Sequence, residues 1–577
     1  YIYNSPVDKI IWDVGHQTYV HKILTSRRDD FHTLRSFRGI SGFPKRKESK
    51  HDIFETGHSS TSISAALGLA RARDIKKEES HVIAVIGDGA LTGGMSFEAL
   101  NDAGHSKTDL TVILNDNNMS ISENVGALAK HLTRVRSDPK YNVFKKQMES
   151  MLTGFPLIGK HMARIVEKLK NSFKYLVVPG IIFEEMGFTY IGPVNGHDFM
   201  SLASTMERAK KMQGPVLIHV LTQKGKGYNY SELHPNQYHG VSPFDLELGC
   251  QPDKRAGLTY SAAFGKHLSV LARGNPNIVA ISAAMPDGTG LNEFKQEFPD
   301  RFFDVGIAEQ HAVTMAAGLA ANGIRPVVAI YSTFLQRAYD QILHDVCQQN
   351  LPVVFAIDRA GLTGEDGETH QGVFDISYLQ QIPNITIMAP KNTFELRSML
   401  EYSLRMDGPV AIRYPRGRGG LSESLGNNTI MGNSWEVIQD GRDIVLLAVG
   451  SMVDSALEVS RLLLKKNVQA CIINARVVKP LDTPMLDKLA LTNKSNLWVT
   501  IEDNVLTGGF GSSINQHIVS NKLDVQVINY GIPDKFVEHG SVKLLTEDLG
   551  LDPDSMARYL YTILDKDRKE HVCASFK

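Results

Sequence analysis

Two polar turns, each closing an apolar run, hold the most chemically suggestive residues of this chain. Asp88 stands in Gly87-Asp88-Gly89 after the run 82–86, and Asn117 stands in Asn115-Asp116-Asn117-Asn118 after the run 110–114. An amphipathic helical pattern separates them, so the stretch reads as strand–helix–strand. In a parallel sheet both turns fall at the same carboxyl edge, where ligands bind. A carboxylate and an amide oxygen meeting there are hard donors suited to Mg²⁺, with diphosphate oxygens completing its shell. A Gly-Asp-Gly turn alone is a common tight turn. The second polar turn at the neighbouring strand end is what favours a metal–diphosphate site.

Further candidates follow the same pattern. His16 stands in a Gly-His turn after the apolar residues of IIWDVG, either beside a ligand or as a core or capping histidine. Ser59 belongs to a hydroxyl-rich turn before a helix of small residues, where such side chains cap the helix or face a phosphate. Lys224 lies in TQKGKGY, just past a strand at 216–221, and suits an anionic ligand. In the second half, Glu309 heads a helix, where an acid is ordinarily a dipole partner. Tyr331 and Phe334 follow another strand. A glycine-rich loop carries Arg359, Asp366 and His370, and Arg416 follows VAIRYP. The polar stretch 231–255, with His234 and His239, reads as an inter-domain connection.

The elements that position these groups alternate strand and helix throughout, which predicts an α/β chain of three doubly wound domains. The boundaries are 1–250, 251–420 and 421–577. A basic helical insertion is expected at about 127–175; from 126 to 175 eleven Lys/Arg stand against three Asp/Glu. Its apolar residues recur at helical spacing with few aromatics, which suits a solvated cover over the metal turn better than a nucleic-acid surface. The third domain has fewer convergent reactive groups and reads as structural or interfacial. With 577 residues, 42% hydrophobic content and a net charge of −1, the composition is that of an ordinary globular protein, without a global basic field for nucleic acid. The long apolar runs are all interrupted, arguing against membrane spans, and four dispersed cysteines argue against a disulfide framework or a zinc site. Tyr1 is not preceded by Met, and the chain is expected to start inside a longer protein.

GHSSTSIS, GDG with NDNNMSISENVGAL, VGIAEQHAVTMAAGLA, YSTFLQRAYDQ, DRAGLTGEDGETHQG and RYPRG together resemble the thiamine-diphosphate enzymes of the transketolase group, from about Ile11 to the end. The resemblance implies two thiamine-diphosphate-binding domains followed by a transketolase-like C-terminal domain. Asp88, Asn117 and the Met119 carbonyl would hold Mg²⁺. Gly89, Ala90, Ser59, His16 and Lys224 would lie near the diphosphate. Phe334 would pack on the aminopyrimidine, Arg337 would stand close by, and Glu309 would face N1′. Within the group, the likeness is to the branch that condenses pyruvate with D-glyceraldehyde 3-phosphate as CO₂ leaves. Arg359 and Arg416 would then take the phosphate, since guanidinium matches its geometry. Tyr331, Asp366, His370 and His239 would orient hydroxyls and carbonyls. The resemblance further implies a homodimer, in the cytoplasm of a bacterium or the stroma of a plastid. Alternatives are a transketolase proper, a 2-oxoacid dehydrogenase component, and a catalytically impaired fragment that keeps cofactor binding, since relatives carry an N-terminal segment with a further Gly-His motif.

Overall fold

The computed structural model describes residues 2–119, 125–127, 180–240, 244–250, 258–425, 430, 432–492 and 495–575, with side chains to 566. The insertion expected at about 127–175 lies almost wholly outside these residues. The chain forms two compact units.

The first comprises Tyr1–Asp29, Gly42–Asp253 and Gly306–Ala308. Its strands β1 (Lys9–Trp12), β2 (Val82–Gly87), β3 (Thr111–Asp116), β4 (Thr189–Asn195) and β5 (Val216–Leu221) form one parallel sheet in the order β1-β2-β3-β5-β4. Both faces are covered, which is why its strands read as unbroken apolar runs rather than alternating ones. On one face Val82, Ala84, Ile86, Val112 and Leu114 pack with Ile63, Ala66 and Leu67 of the helix Ser62–Lys76 and Leu100 of the helix Gly94–Ser106. On the other, Ile83, Ile113 and Ile218 pack with Ile191 and Ala209. Strand β4 was not separable in the sequence, because Gly192-Pro193 interrupts it. Its place at the sheet edge is where such an interruption is tolerated.

The second unit comprises Asp30–Ser41, Lys254–Val305 and Glu309–Lys577. It holds two sheets. Strands β6 (Ile278–Ser282), β7 (Phe302–Asp304), β8 (Arg325–Tyr331), β9 (Val354–Ala360), β10 (Thr386–Met388), β11 (Val410–Pro415) and β15 (Val477–Lys479) are ordered β15-β10-β11-β9-β8-β6-β7. All pair in parallel except β15, which comes from beyond the expected boundary at 421 and runs antiparallel to β10. The other sheet, ordered β12-β14-β13-β16-β17, contains β12 (Glu436–Gln439), β13 (Ile444–Ala448), β14 (Ala470–Asn474), β16 (Leu497–Val505) and β17 (Gln526–Ile532), with β12 antiparallel. One apolar cluster includes residues of both sheets, among them Ile281, Val328 and Ile357 together with Val445, Ile473 and Trp498.

Candidate functional site

In the first unit Asp88 opens the helical turn Asp88–Leu91, and Gly89 and Ala90 are buried with it. The register places Gly87 opposite Asn115, so the next residues, Asp88 and Asp116, meet and share a hydrogen bond. Burial first, and then the charge of Asp116, push the Asp88 carboxyl up. Burial also opposes ionisation of Asp116, but the hydrogen bond and charge of His219, together with hydrogen bonds from Asp88 and the Asn118 N–H, outweigh it and the net shift is downward. His219 Nε2 donates to Asp116 Oδ2 at 2.8 Å, and its Nδ1 accepts from the Tyr190 hydroxyl at 2.8 Å. The Asn117 side-chain oxygen accepts from the Met119 N–H at 3.0 Å, while Asn118 takes a left-handed φ of 62° and donates to Asp116 Oδ1 at 3.2 Å.

These residues fit a divalent cation. Asp88 is 3% exposed, and a buried carboxylate next to a second carboxylate is relieved by positive charge. The donors are a carboxylate, an amide and a backbone carbonyl, which leaves positions for oxygens of a ligand. Among the described residues no cluster of three His, Cys, Asp or Glu forms an alternative metal centre.

Around this turn, Asp13 ties two loops together. Its carboxylate accepts from Ser60 N at 2.8 Å and Ser62 N at 3.1 Å, directly before the turn that presents His16. Ser60, next to Ser59, donates to the Ala90 carbonyl at 2.7 Å. Lys224 follows β5, and burial pulls its ammonium down to about 8. It donates to His239 Nδ1 at 3.0 Å, and the His16 and His239 rings lie 4.6 Å apart. Burial, then His16 and Lys224, hold His239 far below the ordinary histidine range, so it is neutral near pH 7. The acceptor role of Nδ1 puts its proton on Nε2.

In the second unit Glu309 is the first residue of the helix Glu309–Ala321 and is 4% exposed. Its Oε2 lies 3.9 Å from Arg337 Nη1 and has no hydrogen-bond partner among the described residues. Burial raises its pKa, with Arg337 opposing. The Phe334 ring stacks on Tyr331 at 5.7 Å and meets His370 edge-on at 5.6 Å. A buried acid with an unspent oxygen beside an aromatic surface fits a flat heteroaromatic ring bearing a nitrogen.

Arg359 lies at an irregularity of β9. Ile357 pairs with Arg413 but Ala360 with Pro415, so β9 carries one extra residue there, and Arg359 adopts a left-handed φ of 57°. Bulges of this kind re-aim side chains. The guanidinium sits 4.0 Å over the Tyr331 ring and donates to the Gly288 carbonyl at 2.6 Å and Asp358 Oδ1 at 2.9 Å. The loop that follows closes through paired backbone bonds between Gly361 and Gly372, and Thr333 donates to the Thr369 carbonyl at 2.9 Å. Asp366 is paired with Arg35. Burial opposes its ionisation, yet His370, Arg35 and Arg416 hold it below the usual carboxylate range. Burial lowers His370 as well. Arg416 Nη1 donates to the Thr363 carbonyl at 3.5 Å.

The predicted residues therefore form two groups. Asp88, Gly89, Ala90, Asn117, Met119, Ser59, His16, Lys224 and His239 belong to the first unit. Glu309, Tyr331, Phe334, Arg337, Arg359, Asp366, His370 and Arg416 belong to the second. His239 contacts Lys224 and His16. Sequence reasoning missed Arg35, His219 and Tyr190. No local pattern marks them, since Arg35 meets Asp366 across more than three hundred residues. Asp116 was visible in the asparagine turn, but its pairing with Asp88 needed the strand register.

The profile of 1-deoxy-D-xylulose-5-phosphate synthase matches residues 1–222. Those of the transketolase pyrimidine binding domain and the transketolase C-terminal domain match 256–420 and 433–556. A 1-deoxy-D-xylulose-5-phosphate synthase of Heliobacterium modesticaldum is 53% identical over 570 residues, covering 98% of this chain and 88% of that one. Proteins of the same name from Caldanaerobacter subterraneus subsp. tengcongensis and Clostridium tetani are 55% and 54% identical, covering 96% and 98% of this chain and 89% and 90% of their own. With likeness of that degree over nearly its whole length, the chain belongs to the 1-deoxy-D-xylulose-5-phosphate synthase family.

Proposed function

We propose that the chain condenses pyruvate with D-glyceraldehyde 3-phosphate, releasing CO₂ and forming 1-deoxy-D-xylulose 5-phosphate, with thiamine diphosphate and Mg²⁺. Asp88, Asn117 and the Met119 carbonyl hold the metal, and Gly89, Ala90, Ser59, His16 and Lys224 surround the diphosphate. The bound cofactor supplies a nucleophilic carbon and an electron sink for the two-carbon unit. Glu309 holds a proton at N1′ of the aminopyrimidine. Its buried Oε2, without a hydrogen-bond partner among the described residues, is the observation that carries this assignment. Phe334 offers the ring a flat apolar surface, and Arg337 moderates the cost of ionising Glu309. Arg359 and Arg416 bind the acceptor's phosphate as fixed cations. Neutral His239 of the first unit acts as a hydrogen-bond partner rather than a charge; in the second unit neutral His370, with Asp366 and Tyr331, orients carbonyl and hydroxyl groups.

Carboxyl-labelled pyruvate supplied with Mg²⁺ and thiamine diphosphate, with and without D-glyceraldehyde 3-phosphate, tests the assignment. Labelled CO₂ and deoxyxylulose phosphate are expected in equal amounts, with turnover requiring the aldehyde. An unchanged pyruvate pool refutes it. A transketolase would release no CO₂, and a 2-oxoacid dehydrogenase component would decarboxylate without the aldehyde. The relatives named above are bacterial, which favours the bacterial cytoplasm over a plastid. We assign the active species as a homodimer, to be checked by sedimentation equilibrium against the 63.8 kDa chain mass.

A further inference from the structure

Arg359 and Arg416 sit at the ends of neighbouring strands, and a residue of the C-terminal domain touches both strand ends. Arg413, on β11 three residues before Arg416, is buried. Its Nε donates to Asp375 Oδ2 at 3.0 Å, and its Nη1 donates to Asp503 Oδ1 on β16. The other oxygen of Asp503 lies against Gly361, two residues past Arg359; a Cβ at Gly361, whose φ is +77°, would collide with it. Beside Asp503, Asn504 Oδ1 accepts from Ile376 N at 3.2 Å and Val505 N donates to the Val373 carbonyl at 2.8 Å, so β16 is seated firmly here. Arg359 itself is held at a bulge in a left-handed conformation, which persists only when its surroundings impose it.

We propose that Asp503 is a positioning residue for the acceptor's phosphate. Its carboxylate braces Gly361 on one side and fixes Arg413 on the other, and so sets the placement of Arg359 and Arg416 without itself touching the substrate. The C-terminal domain thereby takes part in substrate selection. The inference rests on the assignment of the two arginines to the phosphate.

The test compares kcat/KM for D-glyceraldehyde 3-phosphate with that for unphosphorylated D-glyceraldehyde. Asp503→Asn keeps the side-chain volume but removes the charge that fixes Arg413. It is expected to lower the ratio by about tenfold, the scale of one charge-assisted contact, through a raised KM for the phosphorylated aldehyde. The KM for pyruvate and the affinity for thiamine diphosphate should stay within about twofold of the parent. A loss of general stability would scale both aldehydes alike and leave the ratio intact. Arg359→Ala and Arg416→Ala serve as references. If neither changes the ratio, the phosphate assignment fails. If they lower it and Asp503→Asn does not, the role of Asp503 is refuted. Should Asp503→Asn fail to fold, Asp503→Glu retains the charge but presses a longer chain toward Gly361 and should also lower the ratio. An unchanged ratio in whichever variant folds overturns the proposal.

Discussion

Burial sets Glu309 apart from an ordinary helix-start acid. A glutamate at a helix N-terminus is commonly a solvated dipole partner. Here the side chain is enclosed, its Oε2 has no hydrogen-bond partner among the described residues, and burial raises its pKa despite Arg337 at 3.9 Å. A carboxyl whose folded pKa lies above its unfolded value, about 4.3, takes up a proton on folding. It therefore lowers stability as pH rises through that interval and costs nothing below it. The cofactor-free Glu309→Gln variant should accordingly melt higher than the parent at pH 8, with the difference vanishing below about pH 4; superimposable melting profiles would contradict the shift. The same variant should bind thiamine diphosphate yet exchange the C2 proton far more slowly, as read by proton NMR in D₂O. Near-normal exchange would remove Glu309 from the chemistry.

At the scale of elements, strand ends and the turns after them do most of the positioning. The parallel register of β2 and β3 brings Asp88 to Asp116, and that of β3 and β5 sets Leu114 opposite His219, which reaches Asp116. Asp13 performs a similar task at the end of β1. It takes two N–H groups at the start of the Ser62–Lys76 helix while its neighbours Val14 and Gly15, both at positive φ, turn the chain toward His16. Asp13→Ala removes both bonds together. It should cost about 1–2 kcal/mol of stability, measured by urea unfolding, and weaken cofactor binding as the Ser59 loop loosens. A stability loss without any change in cofactor affinity would separate Asp13 from the diphosphate-binding loops. At β9 the relevant feature is the extra residue at Arg359, which an ideal strand would not present at that angle.

On the scale of the molecule, the second and third domains of the chain share one compact unit and an apolar cluster to which both contribute. Strand β15 extends the seven-stranded sheet from beyond the domain boundary. Trp498, fully buried on β16 in that cluster, should therefore matter to both sheets. Trp498→Ala is expected to cost about 3–5 kcal/mol and to lower hydrogen-exchange protection in β8 as well as β13. Loss confined to β13 and β16 would mean that the two sheets unfold independently.

Much of this organisation is written locally. The period of the apolar runs places most strands, because a strand buried on both faces must be apolar along its length. The spacing of Asp88 and Asn117 points to the proposed metal–diphosphate turns, because a single strand–helix–strand unit brings its two carboxyl-edge turns together. β4 escaped because an edge strand tolerates Gly-Pro, and β15 because a three-residue strand has too little pattern to see. By position alone Glu309 reads as a helix dipole partner; the family resemblance set it at N1′, and its burial came only with the tertiary structure. The partners Arg35 for Asp366, His219 for Asp116 and Asp503 for Gly361 and Arg413 were beyond reach of the chain read in order. The sequence by itself determined the α/β class, the polar turns at the carboxyl ends of the strands and the family likeness, since these rest on short-range spacing. Tertiary structure alone decided the environment of each charge and the contacts of Asp503 at the arginine-bearing strand ends, because burial and pairing arise from residues tens to hundreds of positions apart.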